Sequence, residues 1–325
     1  MTAKLTVAMA QIQPVWLNQT ATIEKINLYL IEAAKNGAQL VAFGEGLLPG
    51  YPFWLELTSG AEFNSQPQKE MFAHYVNQAI NIEQGDLKML QATCQQHQIA
   101  AYIGCIERTA ERGVSLYCSM VYIDQNGRIG SIHRKLMPTY EERLVWSPGD
   151  GHGLRVHDLE GFKVGGLNCW ENWIPMARQS LYAQGEQFHV AIWPGNLRNT
   201  VDITRFIAQE ARSFVMSVSA LINPYDIDPE LPLAATIKQA MQEHVTEQNP
   251  WFANGGSCLA GPDGQWIVEP IIEQEGITLA TVDLNSVYQE RQNFDPAGHY
   301  SRPDVLQLKV NRQRQATAIF NDANE

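Results

Sequence analysis

Of the chain's 325 residues, 45% are hydrophobic and 18% charged, enough apolar material for a substantial core and far from the composition of a disordered chain. Lys and Arg total 23 against 35 Asp and Glu; the net charge of −12 argues against nucleic acid or an anionic membrane as main partner, since both select a basic face. The five cysteines are scattered without a CxxC pair and the eight histidines show no HExxH, so neither a disulfide framework nor a metal centre is expected, and no cofactor.

In chain order, Leu5–Ile12 reads as a buried first strand, its apolar run too short and broken for a signal segment. No stretch reaches the roughly 18 to 20 apolar residues of a membrane span, so the protein is expected to be soluble and cytoplasmic. Ile23, Ile26, Leu30, Ile31 and Ala34 recur at helical spacing up to Gly37, a glycine placed to end a helix. Gln39–Phe43 is a second strand that runs out at Glu45. The polar text from Leu57 to Gln84 reads as helix plus loop, Leu87, Leu90 and Cys94 as a helix face, and Ile99–Ile106 as a strand. Asn126-Gly127, between Ser115–Ile123 and Gly130–Arg134, marks a hairpin.

Phe162–Asn168 then leads into a helix bearing Ile174, Ala177, Leu181 and Tyr182, closed by Gly185. His189–Trp193 leads into another bearing Ile203, Phe206, Ile207 and Ala211, and Ser213–Ile222 runs as a strand into a polar loop. A second hairpin joins Ser257–Ala260 to Trp266–Val268 through Pro262-Asp263-Gly264, and Ile277–Val282 is the last strand. Hairpins mixed with helix-joined strands predict an α/β chain of mixed sheets covered by helices. It is expected as one domain over residues 1–310, with 311–325 a peripheral tail.

Cys169 stands apart from Cys94, Cys105, Cys118 and Cys258, which fall inside apolar runs or helix faces and read as core. It sits just past a strand and just before a helix, in Gly165-Gly166-Leu167-Asn168-Cys169-Trp170-Glu171-Asn172, where a thiol is presented at the carboxyl edge of a sheet. A nucleophilic thiol needs a base. No histidine holds a comparable strand end; His189 opens a strand instead. Glu45 does, as a carboxylate after a nearly all-apolar run, costly unless it has a partner. Lys135 follows the second hairpin strand. Singly, Glu45 reads equally as a loop cap and Lys135 as a solvated strand terminus. Together with Cys169 they supply base, cation and nucleophile for attack on an electrophilic carbon.

The words around these residues are Ala42-Phe43-Gly44-Glu45-Gly46-Leu47-Leu48-Pro49-Gly50-Tyr51-Pro52, His133-Arg134-Lys135-Leu136-Met137-Pro138-Thr139-Tyr140-Glu141-Glu142-Arg143 and Leu167-Asn168-Cys169-Trp170-Glu171-Asn172. They resemble the Glu–Lys–Cys signature of the nitrilase superfamily of carbon–nitrogen hydrolases. Trp146–Gly151, Trp193-Pro194-Gly195 and Gly298–Asp304 resemble its true nitrilase branch, the amidase branches matching them less well, and the similarity spans Leu5 to Leu308.

That resemblance implies a four-layer α-β-β-α sandwich of two mixed β-sheets, pairing helix to helix into a homodimer or larger homo-oligomer. It implies hydrolysis of an organic nitrile to the carboxylic acid and ammonia: Cys169 forms a covalent thioimidate, Glu45 moves protons, and Lys135 with the N–H near Trp170 stabilises negative charge. Glu142 falls where the family carries a further glutamate that orders the lysine and the substrate, whereas Glu141 reads as surface. Tyr51, Trp54, Trp170 and Trp193 read as aromatic pocket lining and Asn196 as a polar substrate contact, although Trp54 and Trp193 serve equally well as core. An amidase or N-carbamoyl amidohydrolase would use the same triad on an amide, and a silent assembly or binding protein could keep the fold. Gly44 stands where the family usually carries proline, and the added backbone freedom predicts a less rigidly held Glu45. Pocket volume is expected to depend on the Gly60–Gln84 and Asn223–Asn249 loops.

Overall fold

The computed structural model describes residues 3–246 and 248–318. Its first half runs β1 (Lys4–Gln11), α1 (Gln19–Lys35), β2 (Leu40–Phe43), α2 (Trp54–Leu57), α3 (Gln66–Gln78), α4 (Lys88–His97), β3 (Ala100–Arg108), β4 (Leu116–Ile123) and β5 (Ile129–Arg134). The second half runs β6 (His157–Leu159), β7 (Phe162–Asn168), α5 (Pro175–Tyr182), β8 (Phe188–Trp193), α6 (Leu197–Ala211), β9 (Phe214–Ser219), β10 (Leu221–Ile222), α7 (Ala234–Gln242), β11 (Ala253–Ala260), β12 (Trp266–Ile272), β13 (Gly276–Asp283) and α8 (Leu284–Arg291).

Two mixed sheets form. One has the order β13-β1-β2-β3-β4-β5; the other runs β10-β11-β9-β8-β7-β6, with β12 paired to β11. The central strands, such as β2, β4, β8 and β9, lack polar alternation because both their faces are buried, whereas β12 at an edge alternates. On β1, Leu5, Val7 and Met9 point into a core shared with Phe162, Val164, Phe188, Val190, Phe214 and Met216 of the other sheet. The intervening Ala8 and Ala10 pack instead with Ile23, Ile26 and Leu30 of α1 and Leu90 and Cys94 of α4. Across the molecule, Ile203, Ile207 and Ala208 of α6 cover Ala191, Trp193 and Val215, while Ala177 and Leu181 of α5 cover Leu167. Helix, sheet, sheet, helix: the four-layer architecture follows from the period-2 division of these side chains.

The hairpin at Asn126-Gly127 forms, with Gly127 at φ 73° and the Asp124 carboxylate accepting from the N–H groups of Asn126 and Arg128. Sequence reading missed α2, β6, α7 and α8, elements of nine residues or fewer, and it fused β9 with β10, which part at Ala220. Residues 311–318, expected as part of a peripheral tail, lie on the surface but are pinned there. The Arg314 guanidinium donates to Asp150 at 3.0 Å and to the Ile132 carbonyl at 2.8 Å, and Gln315 donates to the Gly149 carbonyl at 2.8 Å. Gly149 in turn donates its N–H to the Lys135 carbonyl at 2.8 Å.

Candidate active site

Glu45, Lys135 and Cys169 each stand just beyond a strand, after β2, β5 and β7. The fold brings all three together. Lys135 Nζ lies 2.9 Å from Glu45 Oε1 and 2.7 Å from Glu142 Oε2, so one ammonium bridges two carboxylates. One oxygen each of Glu45 and Glu142 and the Cys169 sulfur all fall within 4.8 Å of one another. Such a set could hold a metal ion, but the Lys135 ammonium already occupies the space between the carboxylates. Glu142 is fixed twice more: Tyr51 Oη donates to it at 2.8 Å, and the Thr139 N–H at 2.6 Å as the cap of a short 3₁₀ turn.

The backbone holds Glu45 as firmly as the side chains do. Its N–H donates to the Trp193 carbonyl at 3.0 Å, across the gap between the sheets, and Ala220 donates to that same oxygen at 3.3 Å. Gly44 is wedged into this junction. A Cβ there would stand 2.8 Å from the Ala220 nitrogen and 2.9 Å from the Trp193 carbonyl oxygen, contacts that side-chain carbons do not tolerate. The expectation of a loosened Glu45 is therefore corrected: glycine is present because there is no room for anything else.

Cys169 adopts φ 45°, the left-handed region that costs a non-glycine residue about 1 kcal/mol or more and persists only where neighbours impose it. Asn172 is one such neighbour, its Nδ2 donating to the Cys169 carbonyl at 2.8 Å and to the Leu167 carbonyl at 3.3 Å. Two carbonyl acceptors fix that amide, so Asn172 Oδ1 must accept from His189 Nε2 at 2.7 Å, and His189 Nδ1 meets Glu186 at 2.9 Å. Glu171 ties the cysteine turn to the lysine strand by accepting from the N–H groups of Asn168 at 3.0 Å and Leu136 at 2.6 Å and from His133.

Enclosure sets the electrostatics. Burial pushes the Glu45 carboxyl up to about 7, with Lys135 pulling against the rise and Glu142 adding to it. Burial likewise lifts the Cys169 thiol well above its ordinary range, Glu45 adding and Lys135 opposing. For Lys135 burial works against the charge, but the anionic groups around it prevail and it stays an ammonium. A thiol that keeps its proton at neutral pH needs a base, and the adjacent carboxyl exchanges its own proton near neutrality.

Above the triad opens a cavity of about 600 Å³, bordered by Cys169, Glu142, Tyr51, Trp170, Pro194 and Asn196. Tyr51 and Trp170, the latter 52% exposed, line it as expected. Trp54 and Trp193 do not. Trp54, 1% exposed, is core beside Trp16 and Tyr75, and Trp193 lies under α6 with its indole N–H on Ser217 Oγ at 3.1 Å. Trp193 serves the site through its carbonyl alone. Asn196 borders the cavity, yet its side-chain oxygen caps α6 by accepting from the Arg198 N–H. Removing the Trp54 side chain should accordingly read as lost packing: Trp54→Ala is expected to cost about 3–5 kcal/mol in chemical unfolding, with turnover per folded molecule nearly unchanged.

Sequence reasoning missed Phe53, Phe252 and Arg198, which also border the cavity, as does Glu141, expected on the surface; His244 comes from the Asn223–Asn249 loop expected to shape the pocket, whereas no residue of Gly60–Gln84 borders it. Tyr51, Phe53, Phe252 and His244 form a chain of ring contacts at 4.8, 5.5 and 5.9 Å. Phe252 and His244 arrive from the far end of the chain, and no short motif marks them. Cys118 is core as expected, 1% exposed, and its sulfur also lies 3.5 Å from Glu45 Oε1.

Residues 6–292 match the family described as carbon-nitrogen hydrolase. The chain belongs to the carbon–nitrogen hydrolase family. Within it the chain falls on the nitrilase branch: it is 36% identical to an aliphatic nitrilase of Rhodococcus rhodochrous, over 99% of this chain and 83% of that one. It is 32% identical to nitrilase 1 of Arabidopsis thaliana, over 97% and 89%. Among solved structures, a carbon-nitrogen hydrolase from Helicobacter pylori G27 superposes with a TM-score of 0.67 at 19% identity, covering 93% of this chain and 96% of that one. That likeness extends the shared fold well beyond close sequence relatives.

Proposed function

We propose that this nitrilase-branch enzyme hydrolyses an organic nitrile to the carboxylic acid and ammonia, with Cys169 as nucleophile, Glu45 as proton carrier and Lys135 as the cation. The observation that carries the assignment is geometric: Lys135 Nζ bridges Glu45 and Glu142, an oxygen of each carboxylate lies within 4.8 Å of the Cys169 sulfur, and Cys169 and Glu142 border the cavity. Glu45 takes the Cys169 proton as sulfur bonds to the nitrile carbon and passes it to nitrogen, giving a thioimidate. Water then adds, ceding one proton through Glu45 to the imine nitrogen; its second proton passes from the new hydroxyl to nitrogen by the same carboxylate as the C–N bond breaks, so ammonia leaves and the carbonyl of a thioester forms. A second water cleaves the resulting thioester and restores the thiol, so two waters are consumed per nitrile. Lys135 and the Trp170 peptide N–H stabilise the negative charge that forms at each tetrahedral centre. Glu142 holds Lys135 in place, and Tyr51 holds Glu142.

The cavity volume and its Tyr51, Phe53, Trp170 and Phe252 walls favour an organic nitrile over cyanide itself. The test is a panel of aliphatic, aromatic and arylacetic nitriles and their amides, assayed for ammonia with acid and amide products quantified. Ammonia and acid from nitriles are expected; turnover of amides alone overturns the assignment. Because Glu45 must be ionised to accept the thiol proton, kcat/KM should rise with pH through about 7 and level off above it. A rate that does not change over roughly one pH unit either side of that value would remove Glu45 from the role.

Two coarser points complete the reading. No helix among the described residues is long and apolar enough to cross a membrane. Free cysteines at every one of the chain's five positions support a cytoplasmic location. Exposed Trp173, Met176 and Phe206 on and beside α5 and α6 support helix-to-helix pairing into a homodimer or larger assembly.

A further inference from the structure

Glu45 neighbours two thiols, Cys118 at 3.5 Å from one carboxylate oxygen and Cys169 within 4.8 Å. Cys169 faces the cavity; Cys118, on β4 and 1% exposed, faces the core. The two oxygens of the carboxylate are unequal. Oε1 accepts from Lys135 Nζ at 2.9 Å and from Cys118 Sγ at 3.5 Å, whereas Oε2 is enclosed with no hydrogen-bond partner among the described residues. The Cys118 carbonyl also accepts the Lys135 N–H at 2.8 Å, so one residue contacts the carboxylate through sulfur and tethers the cation through its backbone.

We propose that Cys118 is a positioning residue for the reaction. Its S–H holds Oε1 alongside Lys135 and leaves Oε2 as the oxygen that exchanges the proton with Cys169. The inference rests on the reading of Glu45 as proton carrier. Burial, and next the charge of Glu45, keep the Cys118 thiol protonated, so it is available only as a donor. An unpartnered buried carboxylate oxygen is expensive, and a proton-transfer role explains why it is kept. The other titratable groups around Glu45 are Lys135 after β5, Glu142 in the 3₁₀ turn beyond it and Cys169 after β7, with Tyr51 and Tyr75 in reach of its field. None of these changes when Cys118 is replaced.

The experiment is the pH dependence of kcat/KM for Cys118→Ser and Cys118→Ala. A hydroxyl donates more strongly to a carboxylate than a thiol does, so the serine variant should move the acid limb to lower pH. Alanine removes the donor and should move it to higher pH. Each displacement is expected to be about half a pH unit, in opposite directions, with KM within about twofold of the parent. Limbs that coincide with the parent, or that move together as a packing defect would make them, overturn the inference. Should the alanine variant fail to fold, the sign of the serine shift alone decides. Glu45→Gln separates the two levels: if it abolishes turnover while the Cys118 limbs coincide, only the role of Cys118 falls. If it leaves turnover intact, the reading of Glu45 falls and this inference falls with it.

Discussion

Cys169→Ala should lower nitrile turnover by about 10⁴-fold or more while leaving a folded protein. Cys169 carries the one thiol that borders the cavity among the described residues, whereas what holds the turn, Asn172 on the Cys169 carbonyl and Glu171 across to Leu136, is independent of the sulfur. Burst-phase mass spectrometry on the parent should show an acyl or imidoyl adduct on the peptide containing residue 169, and the variant should show none. The melting temperature should stay within a few degrees, since a small buried side chain is shortened by one atom. Full activity in the variant would end the covalent mechanism.

Lys135→Met is expected to damage both rate and stability. The ammonium lies between Glu45 and Glu142 at 2.9 and 2.7 Å, and all three side chains are essentially excluded from solvent. A neutral replacement leaves two buried carboxylates facing each other, and loss of one partner from a buried ionic cluster costs about 3–5 kcal/mol. The rate should fall by about 10²–10³-fold or more, the loss typical of removing one group that stabilises an oxyanion. Combining Lys135→Met with Glu142→Gln should restore part of the stability, seen by chemical unfolding, and none of the ammonia release. Recovery of turnover in the double variant would show that the cation is not required in the transition state.

The strands and the helices that cover them were legible because burial on both faces writes unbroken apolar runs into β1, β2, β7 and β8. The triad was legible because each member ends such a run, a position where a charge or a thiol is conspicuous. The aromatic residues were harder. Trp54 and Trp193 flank the catalytic segments in sequence, but helical and strand geometry turn both rings into the interior. Cys118 was hidden by a β-bulge. Pairing continues from Ser119↔Arg134 toward Cys118 opposite Lys135, but a register shift between Tyr122 and Ile123 defeats counting back from the Asn126-Gly127 turn. Phe252 and His244 lie outside every quoted motif, and only the closed fold brings them to the cavity.

The junction of Gly44, Trp193 and Ala220 bears on how this sequence can change. Restoring the proline usual in the family would drive ring atoms into the Ala220 nitrogen and the Trp193 carbonyl, and a side chain at Gly104 would meet the Gly44 carbonyl from the other flank. The nearest obstructing atoms are backbone, which no side-chain exchange at 104 or 220 removes, so homologue-guided engineering that places proline at 44 has to displace the Trp193–Ala220 junction itself.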